Sequence, residues 1–398
     1  MKGVNNTSRP KLWNKEYVRA MTGNFMLFFS FYLLTPLLPL YLHDHFNADK
    51  DLIGLVLSGY VVAALIVRPF SGFIVDTFDR KKVLMVCFFA FFICFAGYLG
   101  ATTILLFAIV RTLHGLPFGA TTVANSTVAI DVLPSERRNE GIGFYGLSNN
   151  LAMAIAPSMG IWIYGVTDNF TLLFWISLIV ALGGFYCACT IKLPFRNKVI
   201  GKPHFSMDHF FLTRAWLMAL NIMLFGFCWG VMSNYVALYG KLALGITEGT
   251  GMFFMLLSVG LVISRFFGAK SLRQGKLTEN AFSGTVISCV GYTLFALAPG
   301  VWAYYASAFL IGIGNGRMYP AFLNMFISVA RHDQRGTANS SILTSWDVGM
   351  GLGILMGGIM MEWFGYSEAF WMTAASQICG TLMLIFFTRK FFLARKLA

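Results

Sequence analysis

Long apolar runs alternate with short polar breaks along almost the whole chain, and the breaks carry most of the charge. A helix needs roughly 20 apolar residues to cross about 30 Å of hydrocarbon. Runs of that length predict helices over 18–42, 51–75, 83–101, 103–131, 139–165 and 170–192. After a polar stretch, a second set follows over 214–240, 247–270, 280–298, 301–330, 336–364 and 366–388. Alternating segments of about 10 residues, which a membrane barrel requires, are not seen. The pattern therefore predicts an all-α integral membrane protein with 12 transmembrane helices. The opening residues are polar and the first apolar run is too long for a cleavable signal, so no leader is expected.

Composition sharpens this reading. Of 398 residues, 57% are apolar, 16% aromatic and only 12% charged. A soluble domain averages about 25% charged residues, so this chain cannot cover a soluble surface, and it is far too apolar to be disordered. The net charge of +13 would suggest nucleic acid in a soluble protein. Here the basic residues mark topology instead. With the N-terminus inside, the outer loops keep only Lys50 and Lys241, while the inner loops and both tails hold nearly all the rest. That asymmetry follows the positive-inside rule, so both termini are expected in the cytoplasm of a multi-pass inner (plasma) membrane protein, with no nucleic-acid partner. All seven Cys lie within apolar runs, without the spacing of a disulfide framework or a metal site.

The stretch 193–213, with Pro194, Arg196, Lys198, Lys202, Pro203, His204, Asp208 and His209, reads as a cytoplasmic linker between residues 1–192 and 214–398. The two parts repeat each other at a constant offset of 197: Arg68 matches Arg265, Phe70 Phe267, Gly115 Gly312, Gly119 Gly316, Arg138 Arg335, Ser148 Ser345 and Gly160 Gly357. Two pseudo-symmetric six-helix bundles are expected. In such parallel repeats a small-molecule substrate binds near the midplane between the halves.

The residues after the second span run Gly72-Phe73-Ile74-Val75-Asp76-Thr77-Phe78-Asp79-Arg80-Lys81-Lys82. This loop resembles the signature of the major facilitator superfamily, Gly-x-x-x-Asp-Arg-x-Gly-Arg-Arg/Lys, with Thr77 in place of a basic residue and Asp79 in place of Gly. The fourth span carries Arg111-x-x-His114-Gly115-x-x-x-Gly119, similar to the Arg-x-x-Gln-Gly pattern of drug and metabolite exporters, with His114 for Gln. The fifth carries Ala156-Pro157-x-x-Gly160, which retains only Pro157 and Gly160 of the antiporter signature Gly-Pro-x-x-Gly-Gly. Arg335-Gly336-Thr337-Ala338 followed by Asp347-x-Gly349-x-x-x-Gly353 is similar to the drug and sugar efflux branch, and Pro36 and Pro39 lie in the first span. The resemblance spans the chain and implies the major facilitator fold, driven by a proton gradient rather than a cofactor. Gly72, Asp76, Arg80, Lys81 and Arg138 are the expected gate, set against the plain alternative that the basic groups only fix topology.

Ionisable residues inside spans are costly and make functional candidates. They are Arg68, Arg111, His114, Arg265, Arg317 and Asp347, with Asp131 and Glu362 near span ends. Asp347 and Arg317 both fall close to mid-depth, so they are expected to pair or to meet a charged substrate; a packing pair is the plain alternative. His114 titrates near neutral pH and suits coupling, or it is a hydrogen-bonded helix contact. Arg68 and Arg265 fall nearer the inner ends and are expected to snorkel or gate. Arg111 is structural or part of the coupling. Asn150 stands at the offset position of Asp347, and Tyr32 and Trp346 are candidate aromatic walls.

The first reading is a secondary transporter exporting an amphiphilic drug-like or metabolite substrate by proton antiport through alternating access, functional as a monomer. The alternatives are a proton-coupled or facilitative importer of a metabolite, such as an anion held by Arg317, and a lipid or lysolipid flippase. An enzyme is not expected: no metal cluster, nucleotide loop or nucleophile set falls at plausible depth.

Overall fold

The computed structural model describes residues 11–35, 37–48, 50–193, 210–246, 250–297 and 300–397, and no strand occurs among them. Helices form at every predicted position: α1 (Lys15–Leu34), α2 (Leu38–Phe46), α3 (Lys50–Thr77), α4 (Arg80–Leu99), α5 (Ile104–Asp131), α6 (Arg138–Thr167) and α7 (Phe170–Thr190). They continue as α8 (Trp216–Ala243), α9 (Thr250–Arg273), α10 (Leu277–Leu297), α11 (Val301–Val329), α12 (Arg335–Trp363), α13 (Tyr366–Met383) and α14 (Arg389–Arg395). A π-turn over Leu384–Thr388 joins the last two into one rod. Nine helices among the described residues are long and apolar enough to cross a membrane. Three predicted positions lie outside that set: α1–α2, α6 and α11.

One expectation needs correction: the first span is not continuous. It breaks between α1 and α2, and Pro39 opens the second piece, where its missing N–H costs nothing. Pro36 lies outside the described residues, as do residues 194–209 of the linker, Pro194, Arg196, Lys198, Lys202, Pro203, His204, Asp208 and His209 among them. The linker's far end is described and is docked: Phe210 packs on Phe70 and Phe73 of α3, and the Leu212 N–H donates to Ser341 Oγ of α12 at 2.8 Å.

Local signals explain the starts. Asn14, Asp79, Thr103 and Asn169 each accept the backbone N–H three residues on, capping α1, α4, α5 and α7. Asp79, a departure from the family signature, is thus the N-cap of α4. The chain reverses between rods so that α1 begins and α14 ends on the same face of the bundle, here the terminal face.

Helices α1–α7 pack mainly on one another, as do α8–α14, and the two sets meet principally through α3 with α12 and α6 with α9. The repeat is visible in atomic register. Gly115 of α5 lies on the Tyr60 carbonyl of α3, and Gly312 of α11 lies on the Leu257 carbonyl of α9. One turn on, Gly119 meets the Ala64 carbonyl and Gly316 the Leu261 carbonyl. Each contact recurs 197 residues later on both partners, and at Gly115 and Gly312 a Cβ would strike the facing backbone oxygen. Close crossings of this kind need small residues.

Candidate functional site

The terminal face is sealed by a carboxylate from one set inserted into a helix start of the other. Asp76, in the last turn of α3, accepts from the Gly336 N–H (2.9 Å), the Thr337 N–H (2.7 Å) and the Thr337 hydroxyl (3.0 Å). It therefore caps α12 from outside its own chain segment, where the helix dipole favours negative charge. Gly72, one turn earlier, packs so tightly on Ser340 and the Gly336 carbonyl that a side chain there would force α3 and α12 apart.

Arg80 is buried and ties Asp76 (2.7 Å) to Asp131 at the end of α5, and Asp131 also accepts from Arg335 of α12 at 3.1 Å. Asp131 is thus the hub of the gate, although sequence reasoning placed it only near a span end. Two expected members are different. Lys81 forms no ion pair or hydrogen bond among the described residues. It opens α4 one residue after Arg80, so it points round the helix from Asp76. Arg138 lies beside Arg335 and Asp131 with its Nε unpartnered, because Arg335 already holds the carboxylate. Deeper in, Asn339 donates to the Val123 carbonyl and to Ser126 of α5, and Asn324 donates to the Asn139 carbonyl of α6, so both sides of the seam are stitched.

Above this seal, Arg68 of α3 meets Asp347 of α12, Nη1 to Oδ2 at 2.8 Å, with side-chain exposures of 9% and 15%. The expected Asp347–Arg317 pair does not form. Arg317 reaches instead to Asn280 Oδ1 of α10 at 3.4 Å and packs by Gly268. The reason is angular: Tyr319 of α11 faces Trp346, and a residue two places away points about 200° round the same helix. Arg68, expected to snorkel, is the buried partner. Among the described residues neither its Nε nor its Nη1 has a hydrogen-bond acceptor, so the contact is an ion pair without an aligned hydrogen bond.

Aromatic groups surround the pair. Tyr32 is in electrostatic contact with both charges, and Tyr319 with Arg68, Asp347 and Arg265. Trp346 sets its ring edge-on to Tyr319 at 5.3 Å and lies 6.2 Å from Trp229. Asn150 of α6 is half-buried and forms no side-chain hydrogen bond among the described residues.

His114 and Arg111 lie elsewhere. His114 is enclosed by Phe91, Phe95, Tyr60 and Tyr98, and its Nδ1 is 2.9 Å from the Tyr98 hydroxyl. Arg111 lies over the Tyr60 ring at 4.2 Å and donates to Tyr98 at 3.4 Å. Both are packed among α1, α3, α4 and α5 rather than between the helix sets. Tyr60, in electrostatic contact with Arg111, Tyr32 and Arg68, links that cluster to the central pair.

A buried ion pair between two repeated helix sets, with one face sealed by a carboxylate–helix cap, defines a multi-pass membrane transporter rather than an enzyme. The family model of the Major Facilitator Superfamily matches residues 20–280 and 273–397. The chain belongs to that superfamily. It is 25% identical over 387 residues to the staphylopine export protein of Staphylococcus aureus (strain Mu50), covering 94% of this chain and 95% of that one. It is 23% identical over 362 residues to the quinolone resistance protein NorA of Staphylococcus aureus (strain MRSA252), covering 88% and 90%. Among solved structures, the human organic anion transporter MFSD10 (TETRAN) superposes with a TM-score of 0.80 at 15% identity, over 94% of this chain and 100% of that one. The transporter FucP in the outward conformation gives 0.79 at 15% identity, over 94% and 99%.

Proposed function

We propose that this protein exports a small amphiphilic molecule in exchange for protons across the inner (plasma) membrane, with the terminal face in the cytoplasm. The observation that carries this reading is the Arg68–Asp347 pair, because it joins the two helix sets through a group that can take up a proton. While Asp347 is ionised, the pair adds to the Asp76 seal and holds the inner face closed. A proton entering from the far side neutralises Asp347, the closed state loses that attraction, and the inner face opens. Cargo arriving from the cytoplasm then replaces the proton, Asp347 ionises again, and the pair re-forms as the cargo is released outward. The tyrosines and tryptophans round the pair supply the apolar walls for the cargo's body. The export direction draws support from two relatives named for staphylopine export and quinolone resistance.

Uptake of an anionic metabolite is the second reading, favoured by the fifth-span signature, which keeps only Pro157 and Gly160. Comparison of all small molecules retained by cells with and without the protein separates the two. Export predicts depletion of the cargo in expressing cells, and accumulation would overturn it.

A further inference from the structure

The centre contains two guanidinium groups related by the repeat, and among the described residues only one has a counter-charge. Arg68 of α3 faces Asp347 of α12. The offset of 197 maps Arg68 onto Arg265 of α9, and Asp347 onto Asn150 of α6, so the second site keeps the cation and replaces the acid with an amide. The mapping holds in space, since α9 packs on α6 as α3 packs on α12. Arg265 is 6% exposed, and its Nη2 lies against α6 at Gly146, where an added Cβ would be 3.1 Å away. Its Nε and Nη1 have no acceptor, and among the described residues no carboxylate pairs with it. Its electrostatic neighbours are the hydroxyls of Tyr319 and Tyr17, and the Tyr17 hydroxyl is already committed to the Gly141 carbonyl at 2.6 Å. Tyr319 also touches the field of the Arg68–Asp347 pair, so Arg265 stands one ring away from the proposed transport centre.

A guanidinium keeps its charge in any protein environment, so burial without a partner is costly unless an anion completes the site. None of the guanidinium N–H groups of Arg265 has an acceptor among the described residues, and a guanidinium holds a carboxylate by two parallel N–H donors. We propose that Arg265 binds a carboxylate carried by the transported molecule, which makes the cargo an organic acid or a zwitterion with an apolar body. With Asp347 ionised, the two arginines leave one positive charge in excess, which suits a single carboxylate. This inference rests on the reading of the centre as a transport site, and it assigns the chemical class of the cargo there.

The experiment is equilibrium binding to the full-length protein in detergent or nanodiscs, without any gradient. Thermal stabilisation and tryptophan fluorescence (Trp346 lies by Tyr319, and Trp229 by Trp346) are followed against 2-naphthoate, its neutral amide 2-naphthamide, and inorganic phosphate. The wild type is expected to respond to naphthoate at least tenfold more tightly than to naphthamide or phosphate. Arg265→Gln should abolish that preference, and Arg265→Lys should restore part of it. Unliganded Arg265→Met should melt no lower than the wild type, because the substitution removes an uncompensated buried charge. A wild type that does not prefer naphthoate, or an Arg265→Gln variant that keeps the preference, overturns the proposal. An equal response to phosphate assigns the site to inorganic anions and overturns the organic class. These outcomes are independent of proton coupling, which fails or stands in transport assays on Asp347.

Discussion

Arg68 and Asp347 meet at 2.8 Å across the seam between α3 and α12, and among the described residues neither has another charged partner. Removing one member of a buried pair typically costs about 3–5 kcal/mol, because the other is left charged and dry. The contact joins the two helix sets, so in the proposed cycle its loss acts on the conformational equilibrium as well as on folding. Asp347→Ala is expected to shift the population toward an open terminal face, and Arg68→Ala to do the same. In the double variant the effects should fall well short of additive, since each single change already removes the shared interaction. Paired spin-label distances between Lys82 and Lys276, both exposed on the terminal face, measure the shift.

Asp76→Asn retains the size of the cap but removes its charge. A carboxylate at a helix start contributes about 0.3–1 kcal/mol at exposed sites and up to about 2 when partly buried. The open population should therefore rise by roughly 2- to 30-fold. Lys81→Gln should leave the same distances unchanged, since Lys81 has no partner in the gate.

The glycines of the repeated crossings give a paired prediction. Gly115→Ala and Gly312→Ala each place a Cβ against a backbone carbonyl that cannot step aside. Overpacking of this kind costs about 1–3 kcal/mol, and the two variants should lose similar amounts. Gly351→Ala, whose Cβ would meet nothing within 4 Å, should lose no stability and serves as the control. Thermal melts of the purified protein report all three.

Glu16 ties the start of α1 to the end of α7. Its partial burial disfavours the charge, but the Lys192 N–H (2.6 Å) and the Arg19 guanidinium (2.9 Å) outweigh that and hold the carboxyl below its ordinary range. A lowered folded value means the contribution is fully present above the unfolded value near 4.3 and is lost as pH falls through the lower, folded value. The stability gap between the wild type and Glu16→Gln should thus be constant at neutral pH and close in acid. Melts between pH 7 and pH 3 test this, and a gap that widens in acid would contradict it.

How far the sequence alone carries can be judged from three places. Span positions were readable because each rod repeats one signal, apolar length between charged breaks. The first span's break was not, although Pro39 marks it, since proline is tolerated in membrane helices and does not by itself predict a gap. The places of Arg317 and Asp347 along their helices were readable, but azimuth was not. A two-residue step on α11 turns Arg317 away from the centre that Tyr319 faces, and no periodicity argument says which helix lies opposite. The α3–α12 contact that brings Arg68 to Asp347 is a property of how the two sets dock. Asp131 was visible only as an acid near a span end, and its meaning depends on Arg80 and Arg335 arriving from two other helices.

The central claim is that Asp347 carries the proton and that its charge closes the inner face. Asn at this position mimics the protonated form permanently. The measurement is transport of the identified cargo in proteoliposomes under an imposed pH gradient, wild type beside Asp347→Asn. Cargo exchange without a gradient should survive in the variant, while gradient-driven accumulation should fall at least tenfold. A variant that still concentrates the cargo at the wild-type rate would contradict the account and move the proton to the cluster of His114, Tyr98 and Arg111.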